Sequence, residues 1–348
     1  MKIGKTQLIA ENIKPSNAEK LVVFDGDTKI CDVDISKMLP SNLGNKLYSF
    51  GFVSDMHINI TDGYVNSTRF DNALSYFESK GCSFCCHSGD ITTIGLWYPI
   101  SETDRTSYYY PYQFEEFQKV CQKHSIPVHG CTGNHESYNG YAISNTSRLD
   151  TYGADPTLEI NTLAKYEEYT GHGLVYTFEQ NNDVFVFVSQ SVGERPMSDE
   201  HLQWLYETLE ENRNKRCFVF IHPYVSSESS GNPLGLHGIP TFSYWGTTKT
   251  TAFINLMAHY KNTMLFHGHS HVRPEVQLTV KHVNYSDALG FRDFSIPSSS
   301  NSRTVTETDG VKKLKNDGSA FCYLADVYRN SIVLKAYNIV EQKEVEIG

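Results

Sequence analysis

The sequence predicts a mixed α/β domain, and three observations predict it. Apolar runs such as Ser49–Ser54 and Met264–Phe266 end in Asp, His or Asn, as strands do when their carboxyl ends carry functional groups. Between such runs lie segments with apolar residues at three- and four-residue spacing, the period of an amphipathic helix. After about residue 285 the helical period stops and short strand-like runs take over. Strands alternating with helices of this length read as βα units.

Taken in order, residues 1–46 look separate from the rest. Leu21–Phe24 and Lys29–Ile35, joined by Asp25-Gly26-Asp27-Thr28, read as a hairpin. Asp25 and Asp27 invite a calcium reading, but the loop lacks the spaced acids and terminal Glu of an EF-hand, so a turn is the better one. The piece is either a small accessory β module or an N-terminal extension of the sheet. Residues 47–340 form the main domain. Phe70, Ala73, Leu74 and Phe77 predict a first helix, and Phe114, Phe117, Val120 and Cys121 a second, ahead of a strand over Ile126–Cys131. Leu202, Leu205, Tyr206 and Leu209 predict a third, with Ser198 as N-cap and Asp199 and Glu200 in its first turn. Phe253, Leu256, Met257 and Tyr260 give a fourth before Met264–Phe266. Ala320–Tyr328 and Ser331–Tyr337 predict a hairpin around Arg329-Asn330.

Composition narrows the function classes. The 348 residues, 39% hydrophobic and 20% charged, suit one large globular domain with a small appendage. Forty acidic against 30 basic residues give a formal net charge of −10, which opposes extended contact with a nucleic-acid backbone. No apolar run approaches the roughly 18 residues of a membrane span. The start, Met1-Lys2-Ile3-Gly4, lacks the apolar core of a secretory signal, and eight scattered cysteines suit reduced thiols, so the expected location is cytoplasmic. Cys82-x-x-Cys85 resembles a zinc half-site, but no second pair follows at finger spacing and the run reads better as a buried strand.

The chemistry sits in five short blocks: Asp55-Met56-His57, Gly89-Asp90, Gly133-Asn134-His135-Glu136, His222-Pro223 and Gly268-His269-Ser270-His271. Carboxylates, imidazoles and one amide oxygen make a hard-to-borderline ligand set, suited to divalent Mn, Fe, Zn, Ni or Co rather than to a thiolate site. Two such ions need a bridging carboxylate, and Asp90, alone after its strand, is the natural bridge. Any one block is commonplace as a turn; all five in order are not.

At these residues the chain resembles the calcineurin-like metallophosphoesterase superfamily, with its D-x-H, G-D, G-N-H-[DE], H and G-H-x-H blocks. The resemblance runs from about Leu47 to Val272 by motif and more loosely to about residue 340. Ser198–Leu205 and the pair Tyr176–Phe178 and Val184–Ser189 resemble its cyclic-nucleotide-phosphodiesterase-like branch. The resemblance implies a two-sheet β-sandwich flanked by helices. It implies Asp55, His57 and His271 on a first divalent metal, Asn134, His222 and His269 on a second, and Asp90 with a hydroxide bridging them. His135 would stand beside the leaving oxygen as general acid or phosphate-binding donor. The chain departs from many relatives at Thr93, where they carry an acid that hydrogen-bonds the catalytic histidine. A hydroxyl there supports an imidazolium less well and favours esters with good leaving groups.

Specificity is expected in three loops around the crevice. Residues 96–112 hold Trp97, Tyr98, Tyr108, Tyr109, Tyr110 and Tyr112; residues 137–157 follow the Asn134-His135 block; residues 225–249 hold His237, Tyr244 and Trp245. Their aromatics either stack on a substrate base or simply cover the core or a subunit contact. His129 and His267 are strand residues expected near the site, with room for a role behind the ligands. The expected substrate is a small phosphomonoester or phosphodiester, a nucleotide being one candidate. A nuclease of the same superfamily and a non-catalytic metal-binding scaffold are the alternatives. The acidity of the chain disfavours the first, and the filled ligand positions disfavour the second.

Overall fold

The computed structural model describes residues 20–25, 28–34, 45–58, 63–93, 109–136, 163–164, 166–190, 197–223, 246–274, 292–308, 311–329 and 331–345. The strands are β1 Lys20–Asp25, β2 Thr28–Asp34, β3 Lys46–Val53, β4 Cys85–His87, β5 Val128–Gly130, β6 Val175–Gln180, β7 Asp183–Val188, β8 Cys217–Ile221, β9 Thr263–His267, β10 Arg292–Ser295, β11 Arg303–Thr308, β12 Val311–Asn316, β13 Phe321–Tyr328, β14 Ile332–Asn338 and β15 Lys343–Val345. The longer helices are α1 Val65–Ser79, α2 Tyr109–Gln122, α3 Asp199–Glu211 and α4 Gly246–His259.

Two sheets carry the molecule. One has six strands in the order β15-β14-β13-β3-β4-β5, the other five in the order β10-β9-β8-β7-β6. Within the first, β3, β4 and β5 run parallel; within the second, β7, β8, β9 and β10 do. Strand alternation decides the packing. In β7, Phe185 and Phe187 point between the sheets while Val184, Val186 and Val188 point outward; in β8, Phe218 and Phe220 alternate with Cys217, Val219 and Ile221. The space between the sheets is thus filled with rings. Phe50 meets Phe218 edge-on at 5.5 Å and Phe52 meets Phe266 at 5.3 Å.

Helices close both outer faces. Phe70, Ala73, Leu74 and Phe77 of α1, with Phe114, Phe117 and Val120 of α2, bury against Val53, Cys85, Cys322 and Leu324. Leu205 and Leu209 of α3, with Phe253 and Met257 of α4, bury against Val186, Val219 and Leu265. The α1 contact is tight: a Cβ on Gly51 would lie 2.3 Å from the Phe77 ring, so only glycine lets α1 approach β3 there. Ser198 caps α3 as expected, its hydroxyl accepting the His201 N–H at 3.1 Å.

The chain's tail completes the first sheet. The expected hairpin exists as β13 and β14, and β13 inserts antiparallel beside β3, with Tyr323 opposite Phe52. The N-terminal hairpin is also present, as β1 paired with β2, and no other described strand joins it. Two loop boundaries differ from expectation. Tyr109, Tyr110 and Tyr112 belong to the first turn of α2, and residues 246–249 to the first turn of α4. The rest of the three expected specificity loops, with Trp97, Tyr98, Tyr108, His237, Tyr244 and Trp245, lies outside the described residues, as do Gly26 and Asp27.

Candidate metal centre

Parallel strands end on the same side, and here the carboxyl ends of both sheets meet. Asp55 and His57 follow β3, Asp90 follows β4, Asn134 follows β5, His222 follows β8, and His269 and His271 follow β9. The expected crevice is therefore shared by two sheets. Backbone bonds lock the loops together: Asp55 N–H donates to the Gly89 carbonyl at 3.1 Å, His57 N–H to the Asp90 carbonyl at 3.0 Å, and Gly268 N–H to the His222 carbonyl at 3.1 Å. Asp55, His57, Asp90, His269 and His271 all have positive φ, between 46° and 67°. Such backbone costs about 1–3 kcal/mol per residue and persists where its surroundings over-determine it.

The side chains converge as three groups. Asp55, His57 and His271 form one, Asp90, His222 and His269 another, and His57, Asp90 and His135 a third that shares a residue with each of the first two. Tautomers follow from the outer partners. His222 Nδ1 donates to the Ser88 carbonyl at 2.8 Å, His271 Nδ1 to the Asn301 carbonyl at 3.0 Å, and His57 Nδ1 faces the Thr92 carbonyl at 3.3 Å. Each Nε2 is then aimed inward, a lone pair whenever its ring is neutral. Yet His57 Nε2 and His271 Nε2 lie 3.2 Å apart. His222 Nε2 lies 2.9 Å from Asn134 Oδ1, 3.1 Å from His269 Nδ1 and 3.2 Å from Asp90 Oδ2. Asp55 Oδ1 is buried and receives no aligned hydrogen bond, although His271 Nε2 is 2.9 Å away. Nitrogens and carboxylate oxygens packed this closely need a proton or a cation among them, and the donor set fits divalent metal ions.

Electrostatics agree. Burial, then the neighbouring imidazoles, push His57 and His269 down to about 3, so both are neutral, as ligands must be. Burial would raise the carboxyls of Asp55 and Asp90. The surrounding histidines outweigh it, foremost His271 for Asp55 and His222 for Asp90, and hold both carboxyls below the ordinary range. Burial also works against a charged His222, but Asp90 and Asp55 lift it to about 9, so a metal there competes with a proton.

The sequence model for calcineurin-like phosphoesterases matches residues 48–273, which carry all five blocks. The chain belongs to the calcineurin-like phosphoesterase family. No curated protein matches it in sequence. Among solved structures it is similar to a dimetal phosphatase from Danio rerio, at 15% identity and TM-score 0.53 over 87% of this chain and 100% of that one. It also matches TT1561 of Thermus thermophilus, at 7% identity and TM-score 0.41 over 84% of this chain and 99% of that one. A third match is GAP50, the anchor in the inner membrane complex of Plasmodium, at 10% identity and TM-score 0.45 over 87% and 88%. The first likeness supports the fold, which is that of this phosphoesterase family.

The other residues singled out in the sequence fare differently. His135 lies in the site, its ring 4.5 Å from that of His57 and its Nε2 3.8 Å from Asp90 Oδ2. Thr93 does not orient it: the Thr93 hydroxyl donates to the His57 carbonyl at 2.5 Å, and its N–H to Gln113 Oε1 at 2.8 Å. His129 lies in the aromatic edge of the sandwich, 4.2 Å from the Phe178 ring and 5.0 Å from that of His172. His267 is fully buried at the end of β9. Cys82 and Cys85 are buried free thiols whose pKa burial raises; Cys85 opens the buried strand β4, while Cys82 lies just before it.

Two supports carried no signal that sequence reasoning used. Glu136 is fully buried and accepts N–H bonds from Asp90, Thr92 and Gly133 at 3.1, 2.8 and 2.7 Å, clamping the Asp90 loop to the Asn134 loop. Burial and Asp90 raise its carboxyl to about 7. The serine-rich turn 298–302 lies under the first group: the Ser298 and Ser300 hydroxyls donate to the Asp55 carbonyl at 3.0 and 2.7 Å, and Ser299 Oγ to the Ser54 carbonyl at 3.1 Å. The clue for Glu136 was its place in the Asn-His-Glu block. The serines had none beyond a run of small polar residues.

Proposed function

We propose that the chain is a dinuclear metal-dependent phosphoesterase acting on a small phosphate ester. Asp55, His57 and His271 would hold one divalent ion and Asn134, His222 and His269 the other, with Asp90 the carboxylate shared between them. The observation that carries the reading is the packing of inward ring nitrogens of His57, His271, His222 and His269 around two buried carboxylates. Bound metals supply an activated hydroxide near neutral pH and neutralise charge on the phosphoryl oxygens. The chain's own residues do the rest. Ser54 Oγ donates to Asp55 Oδ2 at 2.6 Å, and the His269 N–H donates to the same oxygen at 2.9 Å, which leaves Oδ1 to face inward. The His135 N–H fixes Asp90 Oδ1 at 2.9 Å. The His135 imidazole, at the rim beside Asp90, delivers a proton to the departing alkoxide.

Mn, Fe, Zn, Ni and Co all suit this donor set, and manganese is the ion to try first. No helix among the described residues is long and apolar enough to cross a membrane. The described cysteines are free thiols, in keeping with a cytoplasmic location. Two variants test the roles. Asp90→Asn is expected to lose metal and nearly all turnover, whereas His135→Ala should keep full metal occupancy and slow turnover on the order of a hundredfold. Metal loss in His135→Ala, or full occupancy with normal rate in Asp90→Asn, would refute the assignment. With Thr93 committed to the His57 carbonyl, proton delivery by His135 lacks a supporting acid at that position. Rates across aryl phosphates should therefore fall steeply as leaving-group pKa rises; a flat plot would refute that expectation.

A further inference from the structure

Arg303 stands beside the candidate metal centre with its charge unspent. Its backbone is fixed to the site: the Arg303 N–H donates to the His271 carbonyl at 2.6 Å, and Val272 and Arg303 form a parallel bridge. Two residues earlier, the Asn301 carbonyl receives His271 Nδ1–H. The other arginines near this end are occupied. Arg273 pairs with Asp317 at 2.6 Å, and Arg69 donates to the Ser300 and Gly318 carbonyls. The Arg303 side chain is half-buried, and among the described residues nothing hydrogen-bonds its guanidinium. Burial disfavours its charge, and Asp55 is the carboxylate whose field opposes that.

A partly desolvated guanidinium keeps five donors and costs free energy until they are met. Beside a site built for phosphate esters, the group that meets them is an incoming anion, and a planar guanidinium matches two phosphoryl oxygens at once. We propose that Arg303 is a specificity-determining residue whose guanidinium receives the non-bridging oxygens of the substrate's phosphoryl group and favours a monoester dianion over a diester monoanion. This rests on the phosphoesterase reading of the same site. A monoester carries one more negative charge than a diester, and Arg303 adds the positive charge that rewards it.

The test compares wild type, Arg303→Met and Arg303→Lys, each loaded with Mn²⁺. Bound metal per chain, the Kd of inorganic phosphate by calorimetry, and kcat/KM on p-nitrophenyl phosphate and bis-p-nitrophenyl phosphate are measured. Arg303→Met should keep its metal, bind phosphate on the order of tenfold to a hundredfold more weakly, and lose more on the monoester than on the diester. Arg303→Lys should fall between, since it keeps the charge but not the two-pronged geometry. Unchanged phosphate affinity with an unchanged ester ratio in both variants would overturn the proposal. Hydrolysis of neither ester by wild type would count against the phosphoesterase reading itself. The phosphate titration would still decide Arg303, because it needs no turnover.

Discussion

Gly268 shows how closely single residues are held at this centre. A Cβ there would stand 1.8 Å from Ser54 Oγ and 2.7 Å from Asp55 Oδ2. Gly268→Ala should therefore push Asp55 off its position and lower metal affinity at least tenfold, readable by titration with Mn²⁺; unchanged affinity would show that the loop yields without cost. Glu136 makes a second prediction. Its carboxylate accepts three backbone N–H groups, and an amide would turn a donor toward one of them. Glu136→Gln should destabilise the fold by about 1–3 kcal/mol in urea unfolding, with the metal site loosened as well. At this scale the sequence is half legible. Asp55, His57 and His269 could be picked out because metal chemistry demands their residue types. Glu136, Ser298 and Arg303 could not, because their roles come from which loop the fold lays beside which.

At the scale of elements, period and capping carry far. Phe70, Ala73, Leu74 and Phe77 announce α1, and Ser198 with Asp199 announces the start of α3. Boundaries were less legible: aromatic residues at Tyr109–Tyr112 read as loop, yet they open α2. The joint between α1 and the end of α2 supplies a pH prediction. His124 bridges Asp71 of α1 at 2.7 Å and Glu78 at 2.9 Å, while Ser125 donates its hydroxyl to Glu78 at 2.8 Å. The His124 and Ser125 bonds lower the Glu78 carboxyl from 4.5 to about 2. A depressed carboxyl stabilises the fold fully above its unfolded value and loses that contribution as pH falls through its folded value. Glu78→Gln should thus melt below wild type at pH 6 and converge with it as pH drops from about 4.5 to about 2. A gap that stays constant over that window would rule out the ionic contribution.

At the scale of the molecule, the centre exists because two sheets end together. An alternation of Phe and Val along β7 and β8 was visible as apolar runs, but the runs alone do not say that the rings face a second sheet. That step came from resemblance, and the packing of Phe50 on Phe218 and Phe52 on Phe266 gives its physical basis. The insertion of β13 beside β3 was out of reach of local reading, since it joins residues far apart in the chain. Family membership supports metal-dependent phosphoester chemistry in general terms. Two metals held by these seven side chains is the central claim. The most direct measurement is metal content and hydrolysis together: metal-free protein is titrated with Mn²⁺ while p-nitrophenyl phosphate turnover is followed, with Asp90→Asn alongside. Two ions per wild-type chain, activity rising with the occupancy of both, and loss of both properties in Asp90→Asn is the predicted result. Activity that saturates with one ion, or that survives in Asp90→Asn with its metal intact, would contradict it.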